Sequence, residues 1–129
     1  MHKSTLSNIG LIDEKDTCFI PAIKLAASRG VAVRTIKAVK KNQIHEVIKE
    51  ASNCDTLILD AKLFLGDPVD PCISTDPPEE VNGLAMSRAA KAIYQALTEM
   101  GKTVLVIPAT VDEEACPIEM RSKLEVLLS

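Results

Sequence analysis

"NIGLIDEKDTCFIPAIKLAASRGVAVRTIKAV", residues 8–39, decides the fold. Its opening, NIGLID at 8–13, is short, partly β-branched and closed by an acid, as a buried strand is. From Thr17 to Gly30, Phe19, Ile20, Ile23, Ala26 and Ala27 recur at helical spacing. Asp16 or Thr17 suits the cap of this helix, and Gly30 suits its stop. Pro21 fits only within a first turn, so the helix is expected to start near residue 17 or later. VAVRTIKAV at 31–39 then brings the strand formers Val31, Val33 and Thr35, with Arg34 and Lys37 marking a wetter end. Strand, helix, strand in this space reads as one parallel crossover unit.

The alternation continues outward. NQIHEVIKEASN at 42–53 sets Ile44, Val47, Ile48 and Ala51 at i, i+3, i+4 and i+7, with Asn42 as its cap. His45 lies between those apolar positions and reads as a surface residue before it reads as a base. DTLILD at 55–60 is the most hydrophobic run. VNGLAMSRAAKAIYQALTEMGK at 81–102 puts Met86, Ala89, Ala90, Ile93, Ala96, Leu97 and Met100 on one helical face, closed by Gly101. TVLVIP at 103–108 is a fourth strand, and CPIEMRSKLEVLLS at 116–129 a last helix, with Pro117 in its first turn. The expected architecture is a single α/β domain over residues 1–129. It is three-layered and doubly wound around a parallel four-stranded sheet of order 2-1-3-4.

Composition narrows the function classes. The 129 residues are 47% hydrophobic but only 2% aromatic, without Trp, so the core must be aliphatic. A net charge of −3 and the scarcity of stacking platforms disfavour nucleic acid as a partner. Arg34, Lys37, Lys40 and Lys41 read as a solvated strand end. No signal peptide or membrane span is expected, and the chain is placed in the cytoplasm. Cys18, Cys54, Cys72 and Cys116 contain no CxxC pair; with only His2 and His45 to help, a zinc site is not expected. Cys18 and Cys116 fall near helix starts, where the dipole lowers a thiol pKa, but both read first as structural cysteines.

In sheets of this type a ligand binds outside the carboxyl ends of the strands, where the winding direction reverses. That point lies between strands one and three, whose last residues are Asp13 and Asp60. LIDEKD and LILDAKLFLGDPVD therefore become neighbours, and Asp13, Glu14 and Asp16 meet Asp60, with Asp67 and Asp70 close by. Converging carboxylates repel unless a hard cation sits among them or they stay hydrated. Mg²⁺ is the candidate cofactor, with Asp13 and Asp60 as its ligands, and would suit phosphoryl chemistry with Asp60 as ligand or nucleophile. The plain alternative is a set of solvated loop aspartates that cap and turn. Residues 61–75 form a long connection of the kind that often carries function. In DPPEE at 76–80, Asp76 is expected to cap the next helix, Pro77 to open it and Glu79 to complete a capping box.

The acids after strand one and the Asp ending strand three look like the pattern of response-regulator receiver domains, which share a flavodoxin-like sheet. The resemblance implies Mg²⁺ on Asp13 and Glu14, phosphorylation at Asp60, and Thr110 as the hydroxyl after strand four. The sequence departs from that pattern in having no fifth strand with its preceding lysine and no Pro-Gly turn after Asp60. LID at 11–13 with GDPVD at 66–70 is faintly similar to NYN/PIN-type nucleases. VLVIP at 104–108 looks like the end of a universal stress protein, without its glycine-rich phosphate loop. No GxGxxG or GxxxxGK[ST] occurs, and no family is assigned.

The leading expectation is a non-enzymatic regulatory module that binds a small ligand or protein partner at the carboxyl ends of strands one and three. The alternative is a Mg²⁺-dependent phosphoester hydrolase or nuclease-like enzyme using the clustered aspartates; whether there is catalysis is left open. A homodimer is expected from the small residues Ala85, Ala89, Ala90, Ala92 and Ala96, from two exposed sheet edges, and from the apolar VLL near the end.

Overall fold

Four strands pair in parallel in the order β2-β1-β3-β6. They are β1 (Ile9–Asp13), β2 (Val33–Lys37), β3 (Thr56–Asp60) and β6 (Thr103–Ile107); a separate antiparallel hairpin consists of β4 (Glu79–Val81) and β5 (Leu84–Met86). The helices are α1 (Asp16–Ser28), α2 (Ile44–Ala51), α3 (Arg88–Glu99) and α4 (Cys116–Leu128). The computed structural model describes residues 8–38, 44–63 and 78–129. Asn42, Asp67, Asp70, Cys72, Asp76, Pro77 and most of the 61–75 connection lie outside the described residues.

The strand alternation sorts side chains onto two cores. On one face Ile9, Leu11, Ile58 and Ile107 pack with Phe19, Leu25, Met120 and Leu124 of α1 and α4. On the other, Ile12, Ile36, Leu57, Leu59 and Val106 pack with Val47, Ala90, Ile93 and Leu97 of α2 and α3. The result is the expected three-layer, doubly wound arrangement, and central strands buried on both sides are what a parallel sheet requires. The edge strand β2 keeps Arg34, Thr35 and Lys37 exposed and buries Ile36. Among the described residues no helix is long and apolar enough to cross a membrane.

Three local expectations are corrected. Helix α1 begins at Asp16 with Lys15 in the capping position, so Pro21 lies in the second turn rather than the first. Pro21 cannot donate to the Thr17 carbonyl, but the helix continues because Cys18, Phe19, Ala22, Leu25 and Ala26 bury its inner face. Helix α3 begins only at Arg88: Met86 ends strand β5, and Asn82 and Gly83 turn the hairpin at φ 51° and 80°. Positive φ at both turn positions is the signature of the Asn-Gly hairpin, and it overrides the helical spacing that runs through residues 81–87. Glu79 is consequently a strand residue, paired through its carboxylate to Lys91 at 2.8 Å, and Ser87 supplies the cap. The Ser87 hydroxyl oxygen accepts from the Ala90 N–H at 3.1 Å.

The hairpin is tied to the carboxyl end of the sheet. The Ser87 N–H donates to the Ala61 carbonyl at 2.8 Å, and the Ala109 N–H donates to the Ala85 carbonyl at 2.8 Å. These bonds attach it to the segments that follow β3 and β6, on the side where a crevice forms.

Candidate functional site

Pairing of β1 with β3 runs Ile9–Thr56 through Ile12–Leu59, so the next step sets Asp13 beside Asp60. Parity aims both carboxylates one way: Ile9 and Leu11 in β1, like Ile58 in β3, face α1 and α4, and Asp13 and Asp60 follow at the same period of two. They enter a pocket of about 440 Å³ also lined by Glu14, Lys15, Thr17, Cys18, Lys62, Glu113, Glu114, Cys116 and Pro117.

Asp13 and Asp60 are only 2% and 5% exposed, which makes them the buried acids of this face. Asp13 Oδ1 accepts from the Glu14 and Lys15 N–H groups at 2.6 and 3.1 Å, holding the chain as it turns from β1 into α1. The cap expected of Asp16 or Thr17 is not formed: both lie inside α1, and the Lys15 side chain at the cap position makes no capping bond. Its other oxygen, Oδ2, is buried without a partner of ordinary hydrogen-bond geometry. Asp60 Oδ1 accepts from the Lys62 N–H at 2.9 Å.

Burial, and secondarily the charge of Asp60, push the Asp13 carboxyl up to about 7. The Cys18 thiol and the Lys15 N–H act the other way but do not offset this. Two neighbouring buried carboxylates, one with an unsatisfied oxygen, call for a proton or a cation. One ligand atom from each of Asp13, Asp60 and Cys18 lies within 4.8 Å of the others.

Both pocket thiols are buried, and the activation that their helix starts offered does not develop. Burial pushes Cys18 strongly upward, reinforced by Asp13 and Asp60. Burial, followed by the Asp60 charge, raises Cys116 to about 11. Desolvation and nearby acids outweigh the helix-start dipole at both positions. The Lys62 ammonium lies 3.8 Å from Cys116 Sγ, and the Cys116 thiol lies 3.6 Å from the Asp112 carbonyl. At the mouth, Lys15 forms an ion pair with Glu113.

The fold thus brings Asp13, Glu14 and Asp60 into one pocket. Thr110 is exposed in the turn after β6 and does not line it; Asp16 is also exposed, and its carboxylate meets Lys37 at 3.0 Å on the surface. His45 is exposed on α2. Sequence reasoning passed over Lys62, two residues after the strand-ending Asp60, although that spacing was its signal. Glu113 and Glu114 gave no comparable signal, because only the docking of α4 beside α1 brings them to the pocket. In comparison with known proteins, no family model, no curated protein and no solved structure matches the chain.

Proposed function

We propose that the protein is a regulatory α/β binding module whose pocket takes a divalent cation on Asp13 and Asp60 and, beside it, a small anionic ligand. The observation that carries this reading is the buried, unpartnered Asp13 Oδ2 next to Asp60. A cation supplies the positive charge that this pair lacks and offsets the burial and the Asp60 charge that together lift the Asp13 pKa. Lys62 adds an ammonium to the same pocket, and α4 begins at its wall with Cys116 and Pro117. A cation, a lysine and a helix start together favour a phosphate- or carboxylate-bearing ligand.

The test is thermal melting of chelator-treated protein with Mg²⁺ or Mn²⁺ added. Occupancy at about 100 times Kd stabilises by about 2.7 kcal/mol, which is a readily measured shift. Asp13→Asn and Asp60→Asn should remove the shift. A wild-type chain whose melting ignores these two ions and Zn²⁺ alike overturns the reading.

A second reading, favoured by Lys62 and Asp60 sharing the pocket, is a Mg²⁺-dependent phosphoester hydrolase or nuclease-like enzyme. It requires metal-dependent turnover of a simple phosphate ester that Asp60→Asn abolishes. Self-association belongs to the same proposal, since Ile20 and Ile23 on α1 and Ile118 and Val126 on α4 are exposed. A monomer by light scattering at high concentration would remove it.

A further inference from the structure

We infer that Cys18 is the third protein ligand of the Asp13–Asp60 cation site, making it a thiolate–dicarboxylate centre that selects Zn²⁺, Co²⁺ or Fe²⁺ over Mg²⁺. This rests on the cation reading above and deepens it by naming the class of ion. Cys18 lies in the first full turn of α1, five residues after Asp13, and is 4% exposed. Its sulfur and one oxygen from each of Asp13 and Asp60 lie within 4.8 Å of one another.

A buried cysteine is commonly just a small apolar side chain packed in a core. Two features separate this one. It meets two buried carboxylates at the wall of a pocket, and one of the Asp13 oxygens, Oδ2, is buried without a hydrogen-bond partner.

The donor set decides the metal. Mg²⁺ demands octahedral oxygen ligands and keeps its water, so a thiolate gives it nothing. Zn²⁺ and Co²⁺ accept sulfur and oxygen together, and Zn²⁺ takes them in a tetrahedron. Bonds of about 2.0–2.3 Å hold the oxygen and sulfur atoms of a tetrahedral site roughly 3.3–3.5 Å apart, so side-chain rotation has to close the cluster by up to about 1.5 Å. Three protein ligands leave a fourth position facing the pocket, as in metal sites that exchange a water or ligand. On binding, the S–H bond breaks, the electron pair stays on sulfur to form the metal bond, and the proton leaves to solvent. No electrons are transferred, and the ion's charge supplies the driving force that burial otherwise denies the thiolate.

The experiment titrates Co²⁺ into the chelator-treated full chain and follows thiolate-to-cobalt charge-transfer absorption. Wild-type protein should show the band, and Zn²⁺ but not excess Mg²⁺ should bleach it. Cys18→Ser should lose the band and weaken Co²⁺ binding by about tenfold or more, whereas Cys54→Ser, in the opposite core, should keep it. X-ray absorption of the Zn²⁺-loaded wild type gives a readout independent of any variant, expected as one sulfur at about 2.3 Å. Co²⁺ binding without the band, a band that survives in Cys18→Ser, or a sulfur-free zinc shell overturns the inference. In those cases a melting shift with Mg²⁺ or Mn²⁺ that depends on Asp13 and Asp60 leaves the dicarboxylate reading standing. If no divalent ion affects the wild type, both fall.

Discussion

Asp13 and Asp60 end neighbouring parallel strands, share the face that α1 and α4 cover, and are both buried. Their proximity follows from register and parity. A slip of one residue in β3 would turn Asp60 toward α2 and α3 and leave Asp13 alone.

The pair makes stability depend on pH. The folded-state pKa of Asp13 is raised from 3.8 to about 7, so its stabilising contribution is full below the unfolded value and is lost as pH rises through about 7. With chelator present, unfolding free energy should therefore increase by roughly 2–3 kcal/mol from about pH 8 to about pH 5, relative to Asp13→Asn. Urea melts of the two proteins at matched pH measure it. A saturating divalent ion should reverse the trend, because ion and proton compete for the same oxygens. Parallel pH profiles for the two proteins would contradict the account.

Lys62 should matter to anion binding more than to folding. Its half-buried side chain touches Cys116 weakly at 3.8 Å, and its N–H bond to Asp60 is retained by any residue except proline. Lys62→Met should lower affinity for inorganic phosphate, measured calorimetrically with Mn²⁺ present, by about 10- to 100-fold, the worth of one charge-assisted bond. The melting temperature without ligand should move little. Unchanged phosphate affinity would remove Lys62 from the site.

Gly10 exists to let β1 and β3 pack under Cys54. A Cβ there would meet Leu57 Cδ1 at 2.6 Å and Cys54 Sγ at 2.8 Å, both on buried side chains. Gly10→Ala should cost about 1–3 kcal/mol by overpacking, lowering the melting temperature by several degrees. Adding Cys54→Ala frees one of the two contacts, so the double variant should lose less than the sum of the singles. Strict additivity would show that the clash relaxes elsewhere.

Ser87 carries the start of α3. Ser87→Ala removes the acceptor for the Ala90 N–H and should cost about 1 kcal/mol, while the Ser87 N–H bond to the Ala61 carbonyl persists. Denaturant melts should report that loss with no change in divalent-ion binding. A wild-type melting curve would place the effective cap on another residue.

Much of the fold was legible because its signals are local. Runs such as TLILD and TVLVI are too apolar for an exposed element, and the helices between them carry their own periodicity. Strand order followed from handedness and short connections, and with it the convergence of Asp13 and Asp60. The misreadings were local conflicts. Asn82-Gly83 outranked the helical spacing around it, and the buried face of α1 outranked Pro21.

The amino-acid sequence by itself thus determined a parallel α/β sheet and the position of its crevice, since periodicity and crossover handedness act along the chain. The tertiary structure alone decided which other groups share that crevice with Asp13, Glu14 and Asp60, and how deeply they are buried. Side-chain parity turned the two aspartates the same way, α1 brought Cys18 against them, and α4 brought Cys116 across from Lys62. Burial then outweighed the helix-start dipole at both thiols and left one oxygen of Asp13 without a partner. Desolvation depends on everything packed around a group, so no spacing along the chain encodes it.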